Sequence, residues 1–217
     1  ELQEAESGAW EEASLFYMAR LFYSLKDKYL LTFTFRRDGF SGFSDQNKFG
    51  IFPSGALGWV ASEEPFFQNL SDIMNYLKLR VSYGSSGNRT VGRYQTLAKV
   101  DGGYSYVDRS GKSLYSQAVS SMASSELKWE TTTGINLGGD FGFFNSRLNG
   151  SIEYYNNNTT DLLYIVDLPS IGRFNKFPDN LGKIHNHGIE VTLSSLNMKS
   201  SDFSWRTDFT FARNRDE

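Results

Sequence analysis

Four short stretches carry residue types that could do chemistry, and each is better explained by backbone structure. The segment "HNHG" places His185 and His187 two residues apart. In a strand such residues share a face, so two imidazoles could begin a metal site. A metal site needs three or four ligands, and no third lies nearby in sequence. The zinc-finger-like surroundings of an HNH nuclease are missing too, so polar residues at a strand top are the plainer reading. "SGKS" at Ser110–Ser113 has the end of a phosphate loop, but that motif needs a glycine where Tyr106 stands. "YGSSGN" at Tyr83–Asn88 is a strand end running into a turn. Glu63 and Glu64 fall in a turn, where solvated carboxylates are expected. No G-x-S-x-G occurs, and neither histidine has a triad setting. Asn69, Asn88, Asn157 and Asn158 each open an Asn-x-Ser/Thr triplet, as Asn-rich loops do by chance. No enzyme, metal site or cofactor is expected.

Composition narrows the class further. The 217 residues include 20 glycines, only 4 prolines, no cysteine and 16% aromatics. That mixture favours an all-β chain. The formal net charge is -3, and no run of lysine or arginine reaches five, so nucleic acid is not an expected partner. No apolar run approaches the ~20 residues of a membrane helix, but a membrane-crossing strand needs only ~9–11 residues and may alternate. The sequence begins at Glu1 without Met and stops as a strand pattern finishes, which is expected of an internal segment or of a processed or partial chain.

The pattern predicts eight strands: Ser14–Tyr23, Tyr29–Arg37, Phe49–Ala61, Tyr76–Gly84, Lys128–Phe141, Ser146–Asn156, His187–Leu196 and Asp202–Arg213. Several exceed the ~5–6 residues usual in soluble sheets. Leu25–Lys28, Gly142–Asn145 and Asn197–Ser201 are short connections. Asp38–Lys48, Ser85–Leu127 and Asn157–Asn186 are long. The third connection, Ser62–Asn75, is intermediate and carries a helical turn in "FFQNLSDIMNYL". Short turns on one rim and long loops on the other match an up-and-down outer-membrane barrel.

Along these strands apolar and polar residues alternate. Tyr29, Leu31, Phe33 and Phe35 oppose Leu30, Thr32, Thr34 and Arg36. The first strand fits less well, with Phe16, Met18 and Phe22 opposite Leu15, Ala19 and Leu21. Arg20, Arg36, Lys78, Arg80, Glu153, Glu190, Arg206 and Asp208 give the polar face mixed charge. Alternation alone suits a soluble, secreted β-sandwich that binds carbohydrate or protein through its loops. It suits equally a barrel wall with a wet interior.

Aromatic placement leans toward lipid. Tyr23, Tyr29, Trp59, Phe141, Phe203 and Trp205 fall at the short-turn rim. Tyr17, Phe35, Phe49, Trp129 and Tyr154 fall at the long-loop rim. Between them lie Leu57, Leu79, Val81, Ile135, Leu137, Ile152, Val191 and Leu193. Aromatic girdles flanking an aliphatic band are a barrel signature. The membrane-interface set is therefore Tyr23, Tyr29, Trp59, Trp129, Phe141, Tyr154, Phe203 and Trp205. In the long loops, Tyr94, Tyr104, Tyr106, Tyr115, Phe174 and Phe177 are candidate substrate contacts. The alternative is that these rings pack the loops on themselves or against a covering protein.

Six blocks in order, "YSLKDKYLLTFTFRRDGFSGF", "NKFGIFPSGALGWVASEEPF", "LKLRVSYGSSGN", "LKWETTTGINLGGDFGFFNSRLNGSIEYY", "TTDLLY" and "NHGIEVTL", resemble the barrel of SusC/RagA-like TonB-dependent outer-membrane transporters. The resemblance spans Tyr23 to Leu193. It implies a share of an antiparallel transmembrane barrel of about 22 strands. It also implies an N-terminal plug, which is not recognisable in these residues, and an outer-membrane setting in Bacteroidota. A SusD-like lipoprotein, energy delivered by TonB, and import of oligosaccharide or peptide complete what the family suggests.

Overall fold

The computed structural model describes residues 9–89, 92–93, 95–169 and 176–217. Its strands are β1 (Ser14–Leu25), β2 (Tyr29–Phe40), β3 (Phe49–Val60), β4 (Met74–Asn88), β5 (Lys99–Val107), β6 (Ser113–Ser121), β7 (Glu130–Phe143), β8 (Leu148–Thr160), β9 (Leu163–Asp167), β10 (Lys176–Asn180), β11 (Lys183–Lys199) and β12 (Ser204–Asp216). Eight of them form one open antiparallel sheet in the order β1-β2-β3-β4-β7-β8-β11-β12. These are the eight strands expected from the alternation.

The differences are informative. "YGSSGN" is strand to its end rather than passing into a turn: Ser85–Asn88 of β4 pair with Thr133–Glu130 of β7. β11 begins at Lys183, four residues before His187, because Lys183–Asn186 pair with Thr160–Asn157 of β8. Neighbouring strands supply hydrogen bonds that override the weak strand preference of Gly, Ser and Asn. The long loops also contain strands of their own. Among the described residues, β5 pairs only with β6, and β9 only with β10. "SGKS" is the tip of the β5–β6 hairpin, where Asp108 Oδ1 accepts the N–H groups of Ser110 (2.8 Å) and Lys112 (3.0 Å). Gly111 there takes φ 81°, a conformation that favours glycine.

Register sorts the residues into two faces. Leu31 stands opposite Leu57, Leu57 opposite Val81, Val81 opposite Leu137, Leu137 opposite Tyr154 and Tyr154 opposite Ile189. One apolar row therefore crosses six adjacent strands. It is not covered: Leu57 keeps 57% and Ile189 46% of its surface exposed. On the other face, Thr32, Ala56, Ser82, Asn136 and Tyr155 form the matching polar row. The misfit in β1 persists, since Phe22 pairs with Thr32 and Met18 with Arg36 on the polar face. Arg36 there lies over the Phe16 ring at 5.6 Å.

The soluble sandwich is excluded by this arrangement. A sandwich buries its apolar face against a second sheet about 10 Å away, whereas here a single layer leaves both faces open. A compact monomer of 24.6 kDa exposes about 10000 Å². This chain exposes 15912 Å². No helix among the described residues is long and apolar enough to cross a membrane, a fact that leaves strand crossings untouched.

At the short-turn rim the predicted hairpin Leu25–Lys28 closes with Lys26 and Asp27 both at positive φ, the geometry whose twist matches paired strands. The β3–β4 connection holds 3-10 turns at Ala61–Glu63 and Pro65–Leu70. Between them Glu64 fastens the rim. Tyr29 donates its hydroxyl to Glu64 Oε1 at 2.7 Å, Trp59 Nε1 donates to the same oxygen at 3.4 Å, and Lys28 Nζ lies 3.6 Å from Oε2. The Tyr29 hydrogen bond, with that of Trp59 and the nearby Lys28 charge, holds the Glu64 carboxyl below its ordinary range. A depressed carboxyl stabilises the fold above its unfolded-state pKa of about 4.3 and loses that contribution as pH falls through the folded value. Glu64→Gln should therefore lower the urea midpoint of the protein at pH 7. The gap from wild type should shrink as pH falls below that unfolded-state value and through the lower folded one. A gap independent of pH, read by tryptophan fluorescence, would rule out the clamp.

Candidate functional site

The polar face is built around one ion network spread over three strands. Arg80 on β4 donates through Nε and Nη2 to both carboxylate oxygens of Asp140 on β7, each at 2.9 Å. Nη2 also donates to Glu153 Oε1 on β8 at 2.8 Å. Asn136 Nδ2 supports Glu153 Oε2 at 3.4 Å. A forked guanidinium is suited to bridging two carboxylates. Gly138 lies directly between Arg80 and Glu153 in register, and a Cβ there would stand 3.0 Å from Arg80 Cζ. The glycine lets the arginine lie flat across β7. Beside the network runs a shallow trough of about 470 Å³ along Ser82, Ser86, Thr132, Asn136, Glu153 and Asn157. Its hydroxyls, amides and carboxylates make a hydrated surface.

At the long-loop rim the polar face closes over a small buried cluster. Phe40, Phe43, Phe52, Leu127 and Trp129 pack together. Trp129 stands 5.2 Å from Phe43 and 5.8 Å from Phe52 between ring centres. Arg89 lies over the Phe40 ring at 4.0 Å. Three loops are tied to this cluster by side chains that cap backbone groups. Asn47 Nδ2 donates to the carbonyls of Glu126 (3.0 Å) and Leu127 (3.2 Å). Asn180 accepts from Lys128 N (2.9 Å) and donates to the carbonyls of Lys128 (3.0 Å) and Asp161 (2.7 Å). Thr96 Oγ1 donates to the Gly42 carbonyl at 2.9 Å. Above the cluster a cavity of about 350 Å³ is bordered by Glu12, Phe40, Phe43, Lys48, Arg93 and Thr96.

Among the described loop contacts, register separates Tyr106 from Tyr115. Tyr94 and Phe174 lie outside the described residues. Tyr104 is paired in β5 with Ser116. Tyr106 (57% exposed) pairs with Leu114 while Tyr115 (83% exposed) pairs with Ser105, so the two rings project from opposite faces of their hairpin. Phe177 sits half-buried in the β9–β10 ribbon. Among the described residues, no three His, Cys, Asp or Glu side chains gather as a metal site.

Of the interface aromatics, Tyr23, Tyr29, Trp59, Phe141, Tyr154 and Trp205 have register positions on the apolar face. Phe203 lies exposed in the β11–β12 turn. Trp129 requires a correction: it is 8% exposed and turns to the polar side, because β7 begins only at Glu130 and the alternation does not extend to it. Phe66 was missed. It projects from the 3-10 turn 6.3 Å from Trp59 and is 61% exposed. Asp140 was missed as well, although its place between Gly139 and Phe141 puts it on the polar face. The rim cluster had a faint signal in the repeated "GF" of "DGFSGF".

The arginine network has a testable weight. Its three side chains are about a third exposed (32%, 28% and 31%), so solvent screens it. Arg80→Gln should cost about 1–2 kcal/mol of unfolding free energy, since it leaves Asp140 and Glu153 facing each other unpaired. Adding Asp140→Asn should recover part of that loss. Additive losses in the double-mutant cycle, followed by urea unfolding, would contradict a coupled network.

A family model described as "TonB dependent receptor-like, beta-barrel" matches residues 9–217. The chain is 37% identical over 220 residues to the TonB-dependent receptor SusC of Bacteroides thetaiotaomicron, covering all of this chain and 22% of that protein. It is 38% identical over 198 residues to a TonB-dependent receptor of Formosa agariphila, covering 91% of this chain and 20% of that one. Among solved structures, the RagAB peptide importer in its open-open state superposes with a TM-score of 0.85 and 27% identity over 95% of this chain and 22% of that one. The chain thus spans about a fifth of the length of the relatives it matches. Their family comprises outer-membrane receptors and transporters rather than enzymes. With its single sheet of long strands, one greasy face and one charged face, the chain belongs to the TonB-dependent receptor β-barrel family, with SusC and RagA-like transporters among its relatives.

Proposed function

We propose that residues 1–217 form about eight strands of one wall of a larger outer-membrane barrel, with the plug domain outside this segment. The observation that carries this reading is the uncovered apolar row from Leu31 to Ile189, backed by the charged and hydroxyl-rich opposite face. Lipid covers the first and water or the plug the second. β1 and β12 each pair with a single neighbour, and further barrel strands complete their edges. The parent imports oligosaccharides or peptides with a SusD-like lipoprotein and TonB, a reading supported by the relatives named SusC and RagAB. Tyr94, Tyr104, Tyr106, Tyr115, Phe174 and Phe177 remain its proposed substrate contacts. The membrane-interface set, without Trp129, anchors the wall in the bilayer.

The absence of cysteine from these residues gives a clean test of the faces. Leu57→Cys and Leu137→Cys in the intact receptor should resist a hydrophilic maleimide until the membrane is dissolved and the protein unfolded. Ser82→Cys and Asn136→Cys should react once the folded protein is in detergent. Equal labelling of both pairs would refute the wall. For transport, cells lacking the parent gene should lose uptake of a labelled oligosaccharide or peptide, and unchanged uptake of both would refute that part.

A further inference from the structure

The apolar face changes character at one corner. On β11 and β12 the aliphatic and aromatic residues Val191, Leu193, Phe209 and Phe211 give way, toward the long-loop rim, to His187 and His185 and to Arg213 and Arg215. Register sets Ile189 opposite Arg213 and His187 opposite Arg215. These side chains share the parity of Ile189, so they project from the lipid-side face rather than into the barrel. Arg213 and Arg215 lie nine and eleven residues beyond Ser204. At a rise of about 3.3 Å per residue and a tilt of about 40°, that is about 23–28 Å from the short-turn rim, the far edge of an apolar band about 25 Å tall.

The corner holds a cavity of about 180 Å³ lined by Tyr154, His187, Ile189, Arg213 and Arg215. His187 Nδ1 is buried and has no hydrogen-bond partner among the described residues. Its ring stacks on His185 at 5.0 Å, and His185 Nε2 is held by Asn156 Oδ1 at 3.0 Å, so the pair has a set orientation. Arg215 Nε lies 3.2 Å from Glu217 Oε1. Arg213 has no ion-pair partner among the described residues. At the opposite side of the sheet, Arg37 lies over the Phe49 ring at 4.2 Å. At this corner two guanidinium groups and an unpartnered imidazole nitrogen border one hollow.

We propose that this hollow binds the phosphate of a membrane lipid, with Arg213 and Arg215 on the head-group oxygens and His187 Nδ1 as a third polar contact. Guanidinium forks match phosphate oxygens, and basic residues at a bilayer surface attract anionic lipids. The occupant is a lipid rather than a free anion because the hollow opens onto apolar surface. Ile189 lines it, and Val191 and Phe211 continue along the same face, where acyl chains would run. The inference rests on the membrane-wall reading given above.

The test uses the full-length receptor in detergent, with dioleoyl phosphatidic acid and dioleoyl phosphatidylcholine as probes and native mass spectrometry as readout. Wild type should retain phosphatidic acid about tenfold better than phosphatidylcholine, the scale of one charge-assisted contact. Arg213→Gln/Arg215→Gln should bring the two lipids level, and Arg213→Lys/Arg215→Lys should restore much of the preference. Equal retention by wild type, or a preference that survives the glutamine pair, overturns the proposal. Millimolar inorganic phosphate that binds alone and fully displaces the lipid makes this an anion site and also overturns it. Heat-modifiable gel mobility of every variant reports folding and the barrel reading separately. A heat-modifiable receptor without lipid preference defeats this inference alone.

Discussion

Every part of this structure depends on lateral backbone pairing within a single layer. In a sandwich the hydrogen-bonded ladders and the packed core share the work of holding strands together. Here the ladders stand nearly alone, and the only compact hydrophobic cluster among the described residues is the five-residue group at the rim. Strands of 12 to 17 residues are the consequence, because length multiplies the ladder bonds between neighbours. A bilayer makes the same demand, since hydrocarbon offers no partner to an open N–H or carbonyl. Pairing also frees both faces for other uses, and the two faces diverge accordingly.

The fold was largely legible in the sequence. A period of two is a local property, so Leu31 and Thr32 declare their faces without reference to any distant residue. The eight strands followed from it, together with the rhythm of short and long connections. What escaped was set by partners far along the chain. Ser85–Asn88 read as a turn by composition, yet they lie in register with Thr133–Glu130. Trp129 carried the chemistry of a girdle residue, but one position outside β7 the alternation no longer governs it. Asp140 looked unremarkable until register set it beside Arg80, which is 60 residues away.

The candidate site was less legible than the wall for the same reason. Tyrosines in the long loops were identifiable as residues suited to flat ligands, but their relative placement depends on hairpins with weak alternation. The β5–β6 pairing contains two register shifts, near Lys99 and near Tyr104. A single shift of this kind sends later side chains to the opposite face. The corner at His187 and Arg213 shows the reverse case. Its residues were visible as isolated polar positions in strands, and only the pairing of β11 with β12 assembles them.

The private pairing of the loop hairpins has a consequence for how such a protein changes over time. Among the described residues β5 bonds only to β6 and β9 only to β10, so neither ribbon supplies a rung to the wall. The cost of closing a longer loop grows only slowly with its length. A few amide side chains at the loop bases, Asn47 and Asn180 among them, hold the ribbons where they leave the rim. Everything distal to those amides can lengthen, shorten or be exchanged while β4, β7, β8 and β11 keep their register. The wall is a chassis, and the ribbons are the parts that can be replaced without disturbing its register.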